Sequence, residues 1–177
     1  AVTTVAIADD SALLREGLAG LLERQGFEIV AQESRADALR QTVQQLAEQG
    51  RLPQLLITDV RMPPTMANDG LQAALDLKTA YPALSVLVVS QYVAPVYAQQ
   101  LFALPAAPDS GGSGYLLKDR VSQVADFIGT LRVVCAGGMV IDPEVARAMM
   151  RASRSGLGEL SPREFEVLEL MARGLSN

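Results

Sequence analysis

The sequence contains no histidine and one cysteine among its 177 residues. Without histidine there can be no Ser-His-Asp or Cys-His catalysis, no histidine metal ligand and no phosphohistidine on this chain. Any phosphoryl group that passes through histidine must therefore come from another protein. Cys135 cannot form an intramolecular disulfide, which is typical of a reducing compartment. We therefore expect a cytoplasmic protein.

The sequence also lacks an excess of basic residues, because its net charge is −5 at pH 7. This charge argues against binding nucleic acid by electrostatic attraction alone. The longest apolar runs are only as long as strands, so we expect no membrane partner. The N-terminus does not show the pattern of a secretory signal peptide. Hydrophobic residues make up 49% of the sequence, which is enough to bury a core.

Short apolar runs alternate with amphipathic patterns along the first 136 residues. This alternation predicts an α/β fold with βαβ units and a parallel sheet. Strands are expected near residues 3–8, 27–32, 54–59, 85–90 and 114–117. Helices are expected after residue 10, over 36–49, from 69 to before 82, over 96–104 and over 121–135.

The pattern changes after residue 138. Asp142-Pro143 predicts the start of a short helix, since Asp is a favourable cap and Pro fits the first helical position. Ser161 and Glu164 have the spacing of a capping box, which predicts a further helix whose apolar stripe ends where the sequence does. We predict a first domain over 1–136, a linker with a short helix over 137–160, and the start of a truncated second domain over 161–177.

Four of the apolar runs end in polar side chains. Asp9 and Asp10 end the first run, Asp59 the third, Ser90 the fourth and Lys118 the fifth. In a parallel sheet these ends lie on one edge, where ligands bind. Three carboxylates, a hydroxyl and an ammonium are the groups needed to hold Mg²⁺ and to accept a phosphoryl group.

A carboxylate can accept a phosphoryl group if its repulsion with the phosphoryl oxygens is relieved. Asp10, Asp59 and a backbone carbonyl just beyond Asp59 can supply three of the six oxygens that Mg²⁺ prefers. Lys118 can pair with one phosphoryl oxygen, and Ser90 can donate a hydrogen bond to another.

These residues and spacings resemble the receiver domain of two-component response regulators, over about residues 3–136. The resemblance implies a flavodoxin-like, doubly wound sheet of five parallel strands in the order 2-1-3-4-5, with a helical C-terminal extension. It also implies a role for each site residue: Asp9 and Asp10 as the acidic pair, Asp59 as phosphoacceptor and metal ligand, the Arg61 backbone carbonyl as metal ligand, Ser90 and Tyr115 as switch residues, and Lys118 as the active-site lysine.

The segment 160–168 resembles the opening of a LuxR/NarL-type helix-turn-helix output domain, and 172–177 continue the match. The resemblance implies a transcription regulator that accepts a phosphoryl group from a sensor histidine kinase on Asp59 with Mg²⁺. Such a protein is a phosphoacceptor with slow self-dephosphorylation rather than an enzyme. Its DNA contacts would lie in the part of the output domain beyond this sequence, so we expect no DNA-binding residue here. A homodimer is a further expected partner.

Two other functions fit the sequence less well. A haloacid-dehalogenase-like phosphatase needs an aspartate two residues beyond its nucleophile, and that position holds Arg61. A nucleotide-binding domain needs a glycine-rich turn after the first strand, where this sequence has Asp9-Asp10-Ser11-Ala12. A degenerate receiver that acts only as a phosphorylation-independent interaction module remains the alternative. Gln91 departs from the small residue that often follows the switch serine, and could narrow access for small phosphodonors.

Overall fold

The computed structural model describes residues 2–154 as an α/β fold built on one parallel sheet. The strands are β1 Thr4–Ala8, β2 Glu28–Glu33, β3 Leu55–Thr58, β4 Ser85–Ser90, β5 Ser113–Leu117 and β6 Met139–Ile141. The helices are α1 Ala12–Arg24, α2 Ala36–Glu48, α3 Asp69–Ala80, α4 Pro95–Phe102, α5 Val124–Cys135 and α6 Pro143–Arg154, with a 3₁₀ helix over Lys118–Ser122.

The sheet order is β2-β1-β3-β4-β5-β6, and every pair of neighbouring strands is parallel. The predicted doubly wound topology and the order 2-1-3-4-5 are thus confirmed. The predicted number of five strands is too low, because β6 adds a sixth strand beside β5. Residues 139–141 are too few to indicate a strand by periodicity, and their strand is stabilised by pairing with residues 113–115.

The two faces of the sheet carry separate hydrophobic clusters because side chains alternate along each strand. On β1, Val5 and Ile7 pack with α1 and α5, whereas Ala6 and Ala8 pack with α2 and α3 on the other face. Helices α4 and α6 lie on the same face as α2 and α3. Helices therefore cover both faces, which explains why the central strands are continuously apolar.

The fifth helix begins later than its apolar spacing predicts. Val121 lies in the 3₁₀ helix, and α5 starts at Val124. The Ser122 hydroxyl donates to the Asp119 carbonyl at 2.8 Å, which closes this tighter turn. Val121 nevertheless packs against the same cluster as α5, so its spacing indicated the correct face but not the correct helix type.

The short helix predicted after Asp142-Pro143 is confirmed as α6. The Asp142 carboxylate accepts the backbone N–H of Glu144 at 2.9 Å, and Pro143 is the first helical residue. Over residues 2–154 there is no helix long and apolar enough to cross a membrane. The predicted helix from Ser161 and the resemblance of 160–177 to an output domain lie outside the described residues.

The start of α3 packs tightly against the end of β3 at Gly70. A Cβ atom built on Gly70 would lie 1.9 Å from the Asp59 carbonyl oxygen and 3.1 Å from Met62 Sδ. We expect Gly70→Ala to lower the free energy of unfolding by about 1–3 kcal/mol, measured by urea denaturation followed by circular dichroism.

Gly17 provides the control, because a Cβ added there would have no neighbour within 4 Å and the residue is exposed in the middle of α1. Gly17→Ala should raise stability by about 0.5–1 kcal/mol through its better helix propensity. Equal changes in the free energy of unfolding of the two variants would show that the contact between α3 and Asp59 is not tight.

Candidate functional site

The C-terminal edge of the sheet gathers the five polar residues selected from the sequence. Ala8 is paired with Thr58 across β1 and β3, so Asp9 and Asp59 leave the sheet side by side. Ser90 is paired with Leu117 across β4 and β5, which places Lys118 beside the end of β4. The strand order therefore brings together Asp9 and Lys118, which are more than a hundred positions apart in sequence.

Three carboxylates form a compact cluster at this edge. Asp9, Asp10 and Asp59 each present an oxygen within 4.8 Å of the others. Asp9 and Asp59 are buried, whereas Asp10 is exposed at the entrance. Carboxylates this close repel one another, and they offer the hard oxygen ligands that Mg²⁺ prefers. The donor set therefore fits a divalent cation.

The start of α1 holds Asp9 in place. Its carboxylate Oδ1 accepts the backbone N–H of Ser11 at 2.8 Å, and its carbonyl oxygen accepts a bond from Arg15 Nη1 at 2.7 Å. Ser11 also caps α1 by accepting the N–H of Leu14. Capping of α1 is thus carried out by Ser11, which leaves Asp10 available for the cluster.

Lys118 lies between two of the carboxylates. Its Nζ donates to Asp59 Oδ2 at 2.9 Å and lies 3.2 Å from Asp9 Oδ2. Burial alone would lower the pKa of Lys118, but the hydrogen bonds and charges of Asp59 and Asp9 outweigh it and raise this pKa. The ammonium form is therefore favoured.

Burial acts differently on the carboxyl group of Asp59. It raises the pKa of Asp59, the ion pair with Lys118 opposes that rise, and the charge of Asp9 adds to it. Asp59 Oδ1 accepts the backbone N–H of Val60 at 2.7 Å, which also favours the ionised form. The carboxylate is thus partly desolvated and is held by two donors on different oxygens.

The backbone of Asp59 is fixed as firmly as its side chain. Its N–H donates to the Ala8 carbonyl at 3.0 Å, and its own carbonyl accepts the Thr58 hydroxyl at 3.0 Å. Gly70 packs against that carbonyl and donates its N–H to the Val60 carbonyl at 2.9 Å. The sequence predicted a helix from residue 69, but it did not predict the close contact at Gly70.

Ser90 and Tyr115 are both connected to Tyr92. Ser90 Oγ accepts the backbone N–H of Tyr92 at 3.1 Å, and Tyr115 Oη donates to the Tyr92 carbonyl at 3.4 Å. Both Ser90 and Tyr115 are buried. Tyr92 could not be identified from the sequence, because these contacts are made by its backbone atoms, which carry no residue-specific signal.

Arg61 contacts Tyr92 from the loop after β3. Its guanidinium carbon lies 4.1 Å from the centre of the exposed Tyr92 ring, which is cation–π geometry. This contact joins the loop after β3 to the loop after β4. It concerns the side chain only, so the Arg61 carbonyl as a metal ligand stays a prediction.

Comparison with known proteins agrees with this geometry. Residues 5–123 match the family described as the response regulator receiver domain. The transcriptional regulatory protein LnrK of Bacillus subtilis is 27% identical over 188 residues, covering 98% of this chain and 78% of LnrK.

Solved structures of RcsB are also similar. One from Salmonella enterica serovar Typhimurium, bound to a promoter in the presence of the phosphomimetic BeF3-, has a TM-score of 0.66 at 25% identity. Another, of two RcsB dimers bound to two parallel DNAs, has a TM-score of 0.67 at 26% identity. Each comparison covers 98% of this chain and 78% of RcsB. The family recognised from the sequence motifs is confirmed, and the chain belongs to the response regulator receiver domain family.

Proposed function

We propose that this chain is a phosphorylation-controlled switch of a two-component system. Asp59 accepts a phosphoryl group from a histidine of a sensor kinase, and the change controls a DNA-binding output domain and transcription. The observation that carries the proposal is the position of Lys118 Nζ between Asp59 and Asp9, inside a cluster of three carboxylates. The 177 residues contain no histidine, so in this proposal the phosphohistidine is supplied by the kinase.

The transfer is a displacement at phosphorus. An oxygen of the Asp59 carboxylate attacks the phosphorus, the P–N bond to the kinase imidazole breaks, and the imidazole takes its proton from solvent. The product is an acyl phosphate on Asp59, with both electrons of the broken bond on the leaving nitrogen. Lys118 then pairs with an oxygen of the phosphoryl group, and the Ser90 hydroxyl donates a hydrogen bond to another.

Asp9, Asp10, Asp59 and the Arg61 carbonyl would hold Mg²⁺ in this proposal. When bound, the ion neutralises negative charge on the carboxylates and on the phosphoryl oxygens. The protein's own groups orient the acceptor carboxylate: Lys118 binds Asp59 Oδ2, and the Val60 N–H binds Asp59 Oδ1.

In this proposal, Ser90 and Tyr115 respond to the charge of the phosphoryl group through their bonds to Tyr92. A Ser90 hydroxyl that turns to the phosphoryl group alters its bond with the Tyr92 N–H, and Tyr115 is tied to the carbonyl of the same residue. Phosphorylation must favour one of two arrangements of this segment for a signal to follow. Structures of RcsB dimers on DNA support, by analogy, an output through dimerisation and DNA binding.

Asp59→Asn should abolish acyl-phosphate formation, because the amide is not a nucleophile towards phosphorus. The measurement is the intact mass of the protein after incubation with acetyl phosphate and Mg²⁺. Asp126→Asn is the matched control, since Asp126 is exposed on α5 and should be phosphorylated as wild type. Phosphorylation of Asp59→Asn at the wild-type level would show that Asp59 is not the acceptor.

If the wild type formed no acyl phosphate from acetyl phosphate or from a kinase, the result would favour the alternative, a phosphorylation-independent interaction module.

Asp10→Ala should weaken Mg²⁺ binding about 10- to 100-fold, because a carboxylate is lost from the cluster. Isothermal titration calorimetry with MgCl₂ measures the change. Asp119→Ala, which removes an exposed carboxylate from the 3₁₀ helix, should leave the affinity unchanged. If the two variants bind Mg²⁺ equally well, the ion does not bind at the cluster.

Lys118→Ala should separate metal binding from the phosphorylation response. Removal of the ammonium leaves Asp9 and Asp59 without their shared cation, so Mg²⁺ affinity should be unchanged or higher. Phosphorylation should become slower, since a charge that stabilises the phosphoryl oxygens is lost. Calorimetry and the rate of acyl-phosphate formation test the two parts, and a large loss of Mg²⁺ affinity would contradict the assignment.

A further inference from the structure

A buried carboxylate outside the three-carboxylate cluster lies at the start of α6. Asp142 is completely buried, and both of its carboxylate oxygens are hydrogen-bonded. Oδ2 accepts the backbone N–H of Leu117 at 3.1 Å and Nε of Arg120 at 3.0 Å. Oδ1 accepts the backbone N–H of Glu144 at 2.9 Å and Nη2 of Arg120 at 3.4 Å. One side chain thus connects β5, the 3₁₀ helix and α6.

The backbone of Asp142 extends the same connection. Its N–H donates to the Tyr115 carbonyl at 2.7 Å, and its carbonyl accepts the N–H of Ala146 in the first turn of α6. Asp142 therefore binds the backbone of β5 at residues 115 and 117. The next residue is Lys118, whose ammonium contacts Asp59. Arg120 follows Lys118 by two positions, so the two residues that the Asp142 carboxylate contacts here, Leu117 and Arg120, lie on either side of the lysine in sequence.

A helix cap alone does not require this arrangement. An N-cap carboxylate needs one or two backbone N–H groups of its own helix and can stay in solvent. Asp142 instead buries its charge completely, which is costly unless the charge is paired and hydrogen-bonded. The guanidinium of Arg120 supplies that pairing from a different element. The bonds of the Asp142 carboxylate beyond its own helix go to Leu117 and Arg120, the residues on either side of Lys118.

Helix α6 is in a position to carry a signal away from the site. Val145 and Met149 pack in the hydrophobic cluster that contains Leu101 of α4 and the buried switch residue Tyr115. Asp142 caps the first turn of α6, and the apolar side of α6 packs in the same hydrophobic cluster as α4 and Tyr115. A movement at the end of β5 would therefore affect both the cap of α6 and the cluster into which α6 packs.

From these contacts we propose that Asp142 and Arg120 form a positioning pair that couples Lys118 to the docking of α6. When Lys118 changes partner from Asp59 to a phosphoryl oxygen, the backbone at Leu117 moves, and the pair transmits the movement to the start of α6. This inference rests on the proposed function, because it requires phosphorylation of Asp59.

Hydrogen exchange tests the coupling in the whole 177-residue chain. Amide exchange in residues 143–152 is measured by mass spectrometry with and without beryllofluoride and Mg²⁺, beryllofluoride being the phosphoryl mimic. In the wild type we expect exchange in α6 to change by about fivefold or more. In Arg120→Gln, acyl-phosphate formation from acetyl phosphate should persist, while the difference in α6 exchange between the two states should be lost.

Two further variants make the test specific. Arg120→Lys keeps the charge but cannot donate two bonds from a planar group, so its response should be intermediate. Arg132→Gln removes an exposed arginine from α5 and should respond as wild type. A pair that only stabilised the fold would change exchange equally in both states, so the difference between states is the decisive quantity.

Three results would overturn the coupling. A full α6 response in Arg120→Gln, or in Arg120→Lys should Arg120→Gln fail to fold, would show that the pair does not transmit the signal. A wild type that forms the acyl phosphate without any change in α6 would also overturn it, while leaving the proposed function intact. A wild type that neither forms the acyl phosphate nor binds beryllofluoride would refute the proposed function, and the coupling with it.

Discussion

The ion pair of Lys118 with Asp9 and Asp59 is the interaction on which the site depends. Burial disfavours charge on Asp59 and by itself would do so on Lys118, and close carboxylates repel one another. The Lys118 ammonium lies 2.9 Å from Asp59 Oδ2 and 3.2 Å from Asp9 Oδ2. Its charge offsets part of the desolvation cost and part of the repulsion between the carboxylates. Three carboxylates against one ammonium leave an excess of negative charge, which suits a divalent cation. The pair also links the ends of β1, β3 and β5, so the chemistry depends on the strand order.

The proposed acceptor is held by backbone contacts as well as by charge. The close approach of α3 at Gly70 and the hydroxyl of Thr58 both fix the Asp59 carbonyl. These contacts do not take part in the proposed transfer, but they determine the direction in which the carboxylate leaves β3. A phosphoryl transfer that relies on positioning requires such rigidity in the acceptor.

The proposed response and output would depend on two further sets of polar contacts. Tyr92 joins Ser90 to Tyr115 through its backbone, and Asp142 joins the end of β5 to α6 through its carboxylate. The two networks meet at Tyr115, whose carbonyl accepts the N–H of Asp142. Ser90, Tyr115 and Asp142 are buried in these networks, and for buried groups hydrogen bonds are strong and a missing partner is costly. Such networks favour discrete arrangements over gradual ones, which is what a switch requires.

The sequence by itself determined the βαβ pattern, five of the six strands and the residues of the site. Apolar runs that end in Asp9, Asp59, Ser90 and Lys118 are local patterns, and the parallel sheet brings such ends together. Only the tertiary structure decided β6, which exists through pairing with β5, and the roles of Gly70 and Tyr92, which act through backbone atoms. Asp142 was read correctly as a cap, yet its bonds to Leu117 and Arg120 require the folded chain. Local periodicity reports which face of an element is buried, whereas partners distant in sequence are set by packing alone.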